Sequence, residues 1–146
     1  MKKTIYITLA IFAFTFAAAG TSLACSCTAS IDPIEKQVSD SYENSAAIFS
    51  GKVTSIRRTA DGYDVIVTLS VNESWKGTNG KRIKVRTAKD SSMCGYHFEV
   101  GKEYLVYAHG TVRDLGVGNC SRTTWADDKT DIEYLANLKK KHAAKK

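Results

Sequence analysis

Four cysteines stand at positions 25, 27, 94 and 120, the first two a single residue apart in the stretch LACSC over residues 23–27. Thiols placed like this can ligate a metal, form disulfides or, at a processed amino terminus, carry a lipid. Structural zinc sites favour two-residue gaps between paired cysteines, and an export signal ahead of Cys25 points to an oxidising compartment. Disulfides are therefore the favoured reading, and four cysteines allow three connectivities. Cys25 and Cys27 lie at i and i+2, so on an extended segment their side chains point the same way, and a bond between them would close a strained small ring. Each should reach a distant partner, Cys94 or Cys120, in loops of about 70 to 95 residues worth roughly 4 kcal/mol apiece in the chain-entropy account. Two such bonds would clamp the start of the mature chain flat against the body.

The export signal rests on Lys2 and Lys3, the apolar run from Ile5 to Ala19, and the small residues of Ser22-Leu23-Ala24 before a cleavage point. The run is short for a bilayer span, so residues 1–24 are read as a signal peptide and residues 25–146 as one domain of 122 residues. Without Lys2 and Lys3 the 21 basic side chains become 19 against 15 acidic ones, a formal charge of +4. That mild excess is partly the Lys-rich tail and points only weakly to an acidic partner. No second apolar run of membrane length follows, and one proline with ten glycines is unlike a low-complexity chain. The expected product is secreted or periplasmic, without stable membrane insertion.

Other residues with chemical capacity are less organised. His97, His109 and His142 have no ligand spacing with one another. No Ser-His-Asp order or glycine-rich phosphate loop stands out, and Gly116-Val117-Gly118 reads as a turn. Asn72-Glu73-Ser74 and Asn119-Cys120-Ser121 match the short glycosylation sequon. The tail from Lys139 to Lys146 (KKKHAAKK) reads as a solvated helix end able to attract an anionic surface. Nothing in these patterns points to an enzyme or to a nucleic-acid partner.

The elements that must position the cysteines read mostly as strands. In YDVIVTLSVNESW, Tyr63, Val65, Val67, Leu69, Val71 and Trp75 alternate with polar positions, which describes a long half-buried strand. Phe49, Gly51 and Val53 alternate similarly, and Asp61-Gly62 between the two runs predicts an antiparallel hairpin. Arg82 to Thr87 and Glu103 to Ala108 are further strand candidates, each after a Gly-containing turn. Four or five strands with such short links suggest a small barrel. Asp32-Pro33-Ile34-Glu35 predicts a helix to about Asn44, capped by Asp32 with Pro33 as its first residue, and Ile34, Val38 and Tyr42 form its stripe. Asp127 to Lys141 reads as a second helix, with Ile132, Leu135 and Leu138 on one side and Asp127, Asp128 and Asp131 placed early to suit the helix dipole.

A Cys-Ser-Cys start, a following helix and a hairpin-rich barrel with a cysteine 69 positions after the first resemble the inhibitory domain of the tissue inhibitors of metalloproteinases (TIMPs), of the netrin-like superfamily. The resemblance covers residues 25–146, and its most specific parts are the CSC start and the cysteine spacing. It implies a mainly β fold, a five-stranded OB-type closed barrel with flanking helices and a disulfide-stapled amino terminus, with bonds Cys25–Cys94 and Cys27–Cys120. The animal inhibitors carry a third disulfide in this domain, for which the four cysteines here leave no pair.

The resemblance also implies a mechanism. The free α-amino group and carbonyl oxygen of Cys25 would chelate the catalytic zinc of a target metalloprotease, displacing its water. Ser26 would enter the pocket that takes the substrate side chain after the scissile bond, and Ser92 and Met93, beside Cys94, would form a second segment of the binding ridge with Cys27. No resident cofactor is implied, since the zinc is the protease's, and the inhibitor is expected to be a monomer. The alternative is a non-inhibitory netrin-like module that recognises a protein or an anionic cell surface. A lipoprotein is the third reading; a lipid attachment box prefers Leu three residues before its cysteine, where Ser22 stands here. Acylation would consume the Cys25 sulfur and amine, so it excludes both the disulfide and the chelate.

Overall fold

The computed structural model describes residues 25–127 and 129–144. The signal peptide read at residues 1–24 therefore lies outside the described residues, as do Asp128, Lys145 and Lys146. The described chain runs α1 (Ile34–Asn44), β1 (Ala47–Arg58), β2 (Asp64–Lys76), β3 (Arg82–Ala88), a 3₁₀ turn (Ser91–Met93), β4 (Glu103–Thr111), β5 (Asp114–Gly116), β6 (Thr124–Trp125) and α2 (Lys129–Ala143). Among the described residues no helix is long and apolar enough to cross a membrane.

The strands close into a five-stranded barrel in the order β1-β2-β3-β5-β4, with β4 returning to pair with β1. All these pairings are antiparallel except the short parallel contact of β3 with β5 at Arg86 and Gly116. The two-residue β6 pairs antiparallel with the start of β4, at Tyr104 and Leu105. Three register shifts along β1 against β2 mark bulges, which bend and twist a strand and so help it serve two neighbours around a closed wall. Thr59 to Gly62 forms the predicted turn, with the Gly62 amide donating to the Thr59 carbonyl at 3.0 Å.

Two apolar layers follow from this closure. Phe49, Val53, Val67, Leu69, Val85, Tyr104 and Val106 fill the barrel. Ile48, Trp75, Leu105 and Tyr107 point outward and are covered by Val38 and Tyr42 of α1 and Leu135 of α2. Residues 47–51 at the start of β1 and residues 104–108 of β4 are thus buried on both faces, which the alternation at Phe49, Gly51 and Val53 did not convey. Both helix stripes cover the barrel, and each fully buried Leu or Val contributes roughly 1.5 to 3 kcal/mol.

Several boundaries differ from the sequence expectation. Asp32 does not cap α1: Pro33, with ψ 150°, occupies the cap position, and its carbonyl accepts the Lys36 and Gln37 amides at 3.0 and 3.1 Å. The Asp32 carboxylate instead accepts from Lys36 at 3.2 Å. Helix α2 starts at Lys129, two residues after the expected Asp127, and Tyr63 lies outside β2 and is exposed. Gly116 belongs to β5 rather than to a turn.

The link from β2 to β3 depends on a glycine. Gly77 has φ +77°, and a Cβ there would lie 1.9 Å from the Ala46 carbonyl oxygen. Gly62 has a similar φ of +76° but nothing within 4 Å. Gly62→Ala should therefore cost only the left-handed backbone penalty, about 1 kcal/mol, whereas Gly77→Ala adds a backbone clash and should cost about 3 kcal/mol or more. Urea unfolding of the two variants reads this difference; equal losses would show that the chain relieves the Ala46 clash freely.

Candidate functional site

The first disulfide joins Cys25 to Cys94, with Cα atoms 5.4 Å apart, and the second joins Cys27 to Cys120 at 5.3 Å. The pairing is the one the family resemblance implied, and it selects one of the three connectivities open to the residues alone. The Cys25 sulfur lies 3.9 Å from the Ser92 carbonyl oxygen, and the Cys27 sulfur lies 3.8 Å from the Asn119 side-chain oxygen. Cys25 is half-buried, while Ser26, Cys27, Ser92, Met93 and Cys94 are exposed. The candidate residues from two distant segments thus form one surface ridge, with Met93 43 % exposed beside it.

The second segment of the ridge is held in an uncommon conformation. Cys94 has φ 64°, the one positive value at a non-glycine among the described residues, and such backbone costs of order 1 kcal/mol or more and persists only where its surroundings impose it. They do so from both sides. The Met93 and Gly95 amides donate to the Asp90 carbonyl, the Cys94 amide donates to Ser91, and the Cys94 carbonyl accepts the Asn119 amide at 2.9 Å. An isolated bridge between Gly95 and Gly118 ties the same loop to the segment leading to Cys120. Both disulfides therefore attach to one cross-linked pair of loops, and the ridge has a rigid base.

Beside Cys94 and Cys120, one cysteine of each disulfide, lies a cavity of about 490 Å³ between α1 and the end of β4, lined also by Asp40, His109 and Arg122 among others. Its wall is anchored by a buried polar cluster. Arg122 donates from Nε to Asp131 Oδ2 at 2.6 Å and from Nη2 to Oδ1 at 2.8 Å, and its Nη1 donates to the Gln37 side-chain oxygen at 3.1 Å. The Tyr107 hydroxyl donates to Asp131 Oδ2 at 2.8 Å, and the Tyr107 amide donates to Thr123 Oγ1. One bidentate pair thus joins α1, α2, β4 and the chain just past Cys120. Asp131 stands in the first turn of α2, the place that suits the helix dipole, and, being 2 % exposed, it is in addition the anion of an internal ion pair with Arg122. Its place four residues before the buried Leu135, on the covered stripe of α2, was the available signal.

Burial and the Asp131 charge push the Tyr107 hydroxyl far above the usual tyrosine range. A raised folded value means the native state holds this proton more tightly than the unfolded chain. Its contribution to stability is fully present below about pH 10 and is lost as pH rises above that. Tyr107→Phe should cost about 1 to 2 kcal/mol at pH 7 through the lost bond to Asp131. The gap between parent and variant, read by urea unfolding, should then narrow between pH 9 and pH 11; a constant gap would show that the hydroxyl does not titrate against Asp131.

The histidines do not converge. His142 stacks on Tyr42 at 5.0 Å and lies 3.2 Å from Glu43, while His109 lines the cavity and His97 is exposed. Among the described residues no three His, Cys, Asp or Glu side chains are grouped so as to hold a metal ion. Compared with known proteins, the chain matches no family model, and no curated protein matches it.

Proposed function

We propose that this chain is an exported TIMP-like protein of the netrin-like superfamily that inhibits zinc metalloproteases. One observation carries the reading: the Cys25–Cys94 bond holds the CSC segment against the exposed Ser92 and Met93, so that two distant stretches present one surface. The closing order of the barrel, β1-β2-β3-β5-β4, supports the OB-type label. Cleavage after Ala24 would make Cys25 the amino terminus and free its α-amino group.

In this reading Cys25 supplies two ligands, its amine nitrogen and its carbonyl oxygen, to the open position of the protease's zinc. The amine must be neutral to donate its lone pair, and an α-amino group titrates near pH 8, lower beside a cation. Ser26 follows into the neighbouring substrate pocket, and Cys27, Ser92 and Met93 widen the contact. Because two disulfides already hold these segments, little chain entropy is lost on binding. Inhibition of a panel of zinc metalloproteases by the chain beginning at Cys25, with intact mass confirming two disulfides and no lipid, tests the proposal. Inhibition that requires the free amine is the expected result. Its absence across a broad panel would make the non-inhibitory netrin-like module the better account.

A further inference from the structure

The start of β4 and the short β6 carry a site that no residue of the ridge enters. Trp125 pairs with Tyr104 across the two strands, and the Ala126 amide donates to the Glu103 carbonyl at 3.1 Å. Residues directly opposite each other in paired strands share a face, and the two rings stack, with centroids 4.8 Å apart and planes 23° from parallel. Tyr104 is itself fixed: its hydroxyl accepts the Glu99 amide at 3.0 Å, and its ring meets Phe98 edge-on at 4.9 Å. Trp125 is therefore the last ring of a packed row, covered on one face by Tyr104 and still 45 % exposed. Its indole is a flat apolar shelf held in place from below. Beside it lies a pocket of about 380 Å³ lined by Lys102, Glu103, Trp125, Ala126 and Asp127.

The rim of this shelf carries charges of both signs. Glu103 and Asp127 bring carboxylates and Lys102 an ammonium, all three exposed and none in an ion pair among the described residues. The Asn72 side-chain amide donates to Glu103 at 3.3 Å, which leaves that carboxylate with further acceptor capacity. The mixture narrows the ligand. A cation over the indole gains from the ring and the carboxylates but meets Lys102, and an anion meets Glu103 and Asp127. A purely apolar guest desolvates all three charges and partners none. A neutral polyol uses every group, because its hydroxyls donate to the carboxylates and accept from the ammonium. A pyranose ring adds a face of C–H groups that packs flat on an indole. The pocket is near the lower end of the range usual for ligand sites, about 300 to 1,000 Å³, which suits one or two sugar rings.

We infer that Trp125 and its rim form a binding site for a neutral hexopyranose unit, the sugar ring stacked on the exposed face of the indole and its hydroxyls bonded to Lys102, Glu103 and Asp127. This is independent of the inhibitory reading. His109, which lines the cavity beside the disulfides, stands on the same strand as Glu103, about 20 Å further along it, so both regions can be occupied at once.

The chain holds two tryptophans, and Trp75 is 4 % exposed, so its indole N–H resonance is an internal control. The test titrates the protein with cellotriose, chitotriose and lactose and follows both indole resonances by NMR, with the Ala126 backbone amide as the reporter in the variants. At least one sugar should move the Trp125 signal saturably, with a Kd of about 1 mM for so small a contact, and leave Trp75 still. W125A should weaken that binding at least about tenfold, and W125F, which keeps a ring, about threefold. D127A should weaken it about fivefold through the lost acceptor. Asp127 is exposed, so D127A should keep the parent's melting temperature; W125F and D127A therefore test the site even where W125A loses stability by uncovering Tyr104. No saturable shift with any of the three sugars at about ten times that concentration, or unchanged binding by both W125F and D127A, would overturn the inference. Tighter Trp125-dependent binding of tetramethylammonium or of glucuronate would overturn the choice of ligand.

Discussion

One alanine added before Cys25 is expected to abolish inhibition of a zinc metalloprotease while leaving the protein folded. The extension keeps both disulfides and nearly all of the ridge surface, but it converts the chelating amine into an amide nitrogen with no available lone pair. It also pushes a methyl group toward the metal. Losing a metal ligand in this way should weaken inhibition at least about a thousandfold, equivalent to about 4 kcal/mol. The melting temperature should hardly change, because the segment around Ser26 and Cys27 is exposed. Inhibition by the unextended chain should also fall as pH drops well below the α-amino range, since the protonated amine cannot bind the cation. An extended form that inhibits as well as the parent would refute chelation by Cys25, even with every structural feature of the ridge intact.

The second large effect concerns the two disulfides together. Cys25 and Cys27 are so close in sequence that the bonds are not independent crosslinks: with either one closed, the other completes a ring of only about 30 residues, through Cys94 and Cys120. In the chain-entropy account, removing one bond as a Cys→Ala pair should then cost about 3.5 kcal/mol, and removing both should cost about 8 kcal/mol, somewhat more than twice the single loss. A total of that size is comparable to the whole stability of an ordinary domain. Either double variant should remain folded at 25 °C, and the variant lacking all four cysteines should be marginal or unfolded. Urea unfolding of the three variants reads this directly; a fully stable cysteine-free chain would show that the barrel and its helix layer suffice alone. The Cys25→Ala/Cys94→Ala variant has a further value, because it should lose inhibition while folded if the bond to Cys94 is what holds Ser92 and Met93 beside the terminus.

The buried cluster around Asp131 shows how far local reading reaches. The stripe of Val38 and Tyr42, the alternation from Val65 to Trp75 and the Asp61-Gly62 turn are short-range patterns, and each became the expected element. These are cases where the hydrophobic period is set by residues two to four apart, so the sequence states them outright. Strands β5 and β6 have three and two residues, too few to display any period, and they form because β3 and β4 offer them unpaired edges. Cysteine count and the i, i+2 spacing of Cys25 and Cys27 called for two long-range bonds; choosing between Cys94 and Cys120 needed either the family resemblance or the fold.

What the sequence by itself determined was therefore the two helices, the four longer strands and the need for two long crosslinks, while the residues of the ridge came from the family resemblance. Only the tertiary structure decided that residues 47–51 of β1 and 104–108 of β4 are buried on both faces, that Asp131 turns inward to Arg122 and Tyr107, and that Trp125 stacks on Tyr104. The physical reason is the same in each case. A period along the chain reports which side chains share a face, but burial and charge depend on which other face is brought against it. That choice is made when the barrel closes, by contacts between residues that the chain places tens of positions apart.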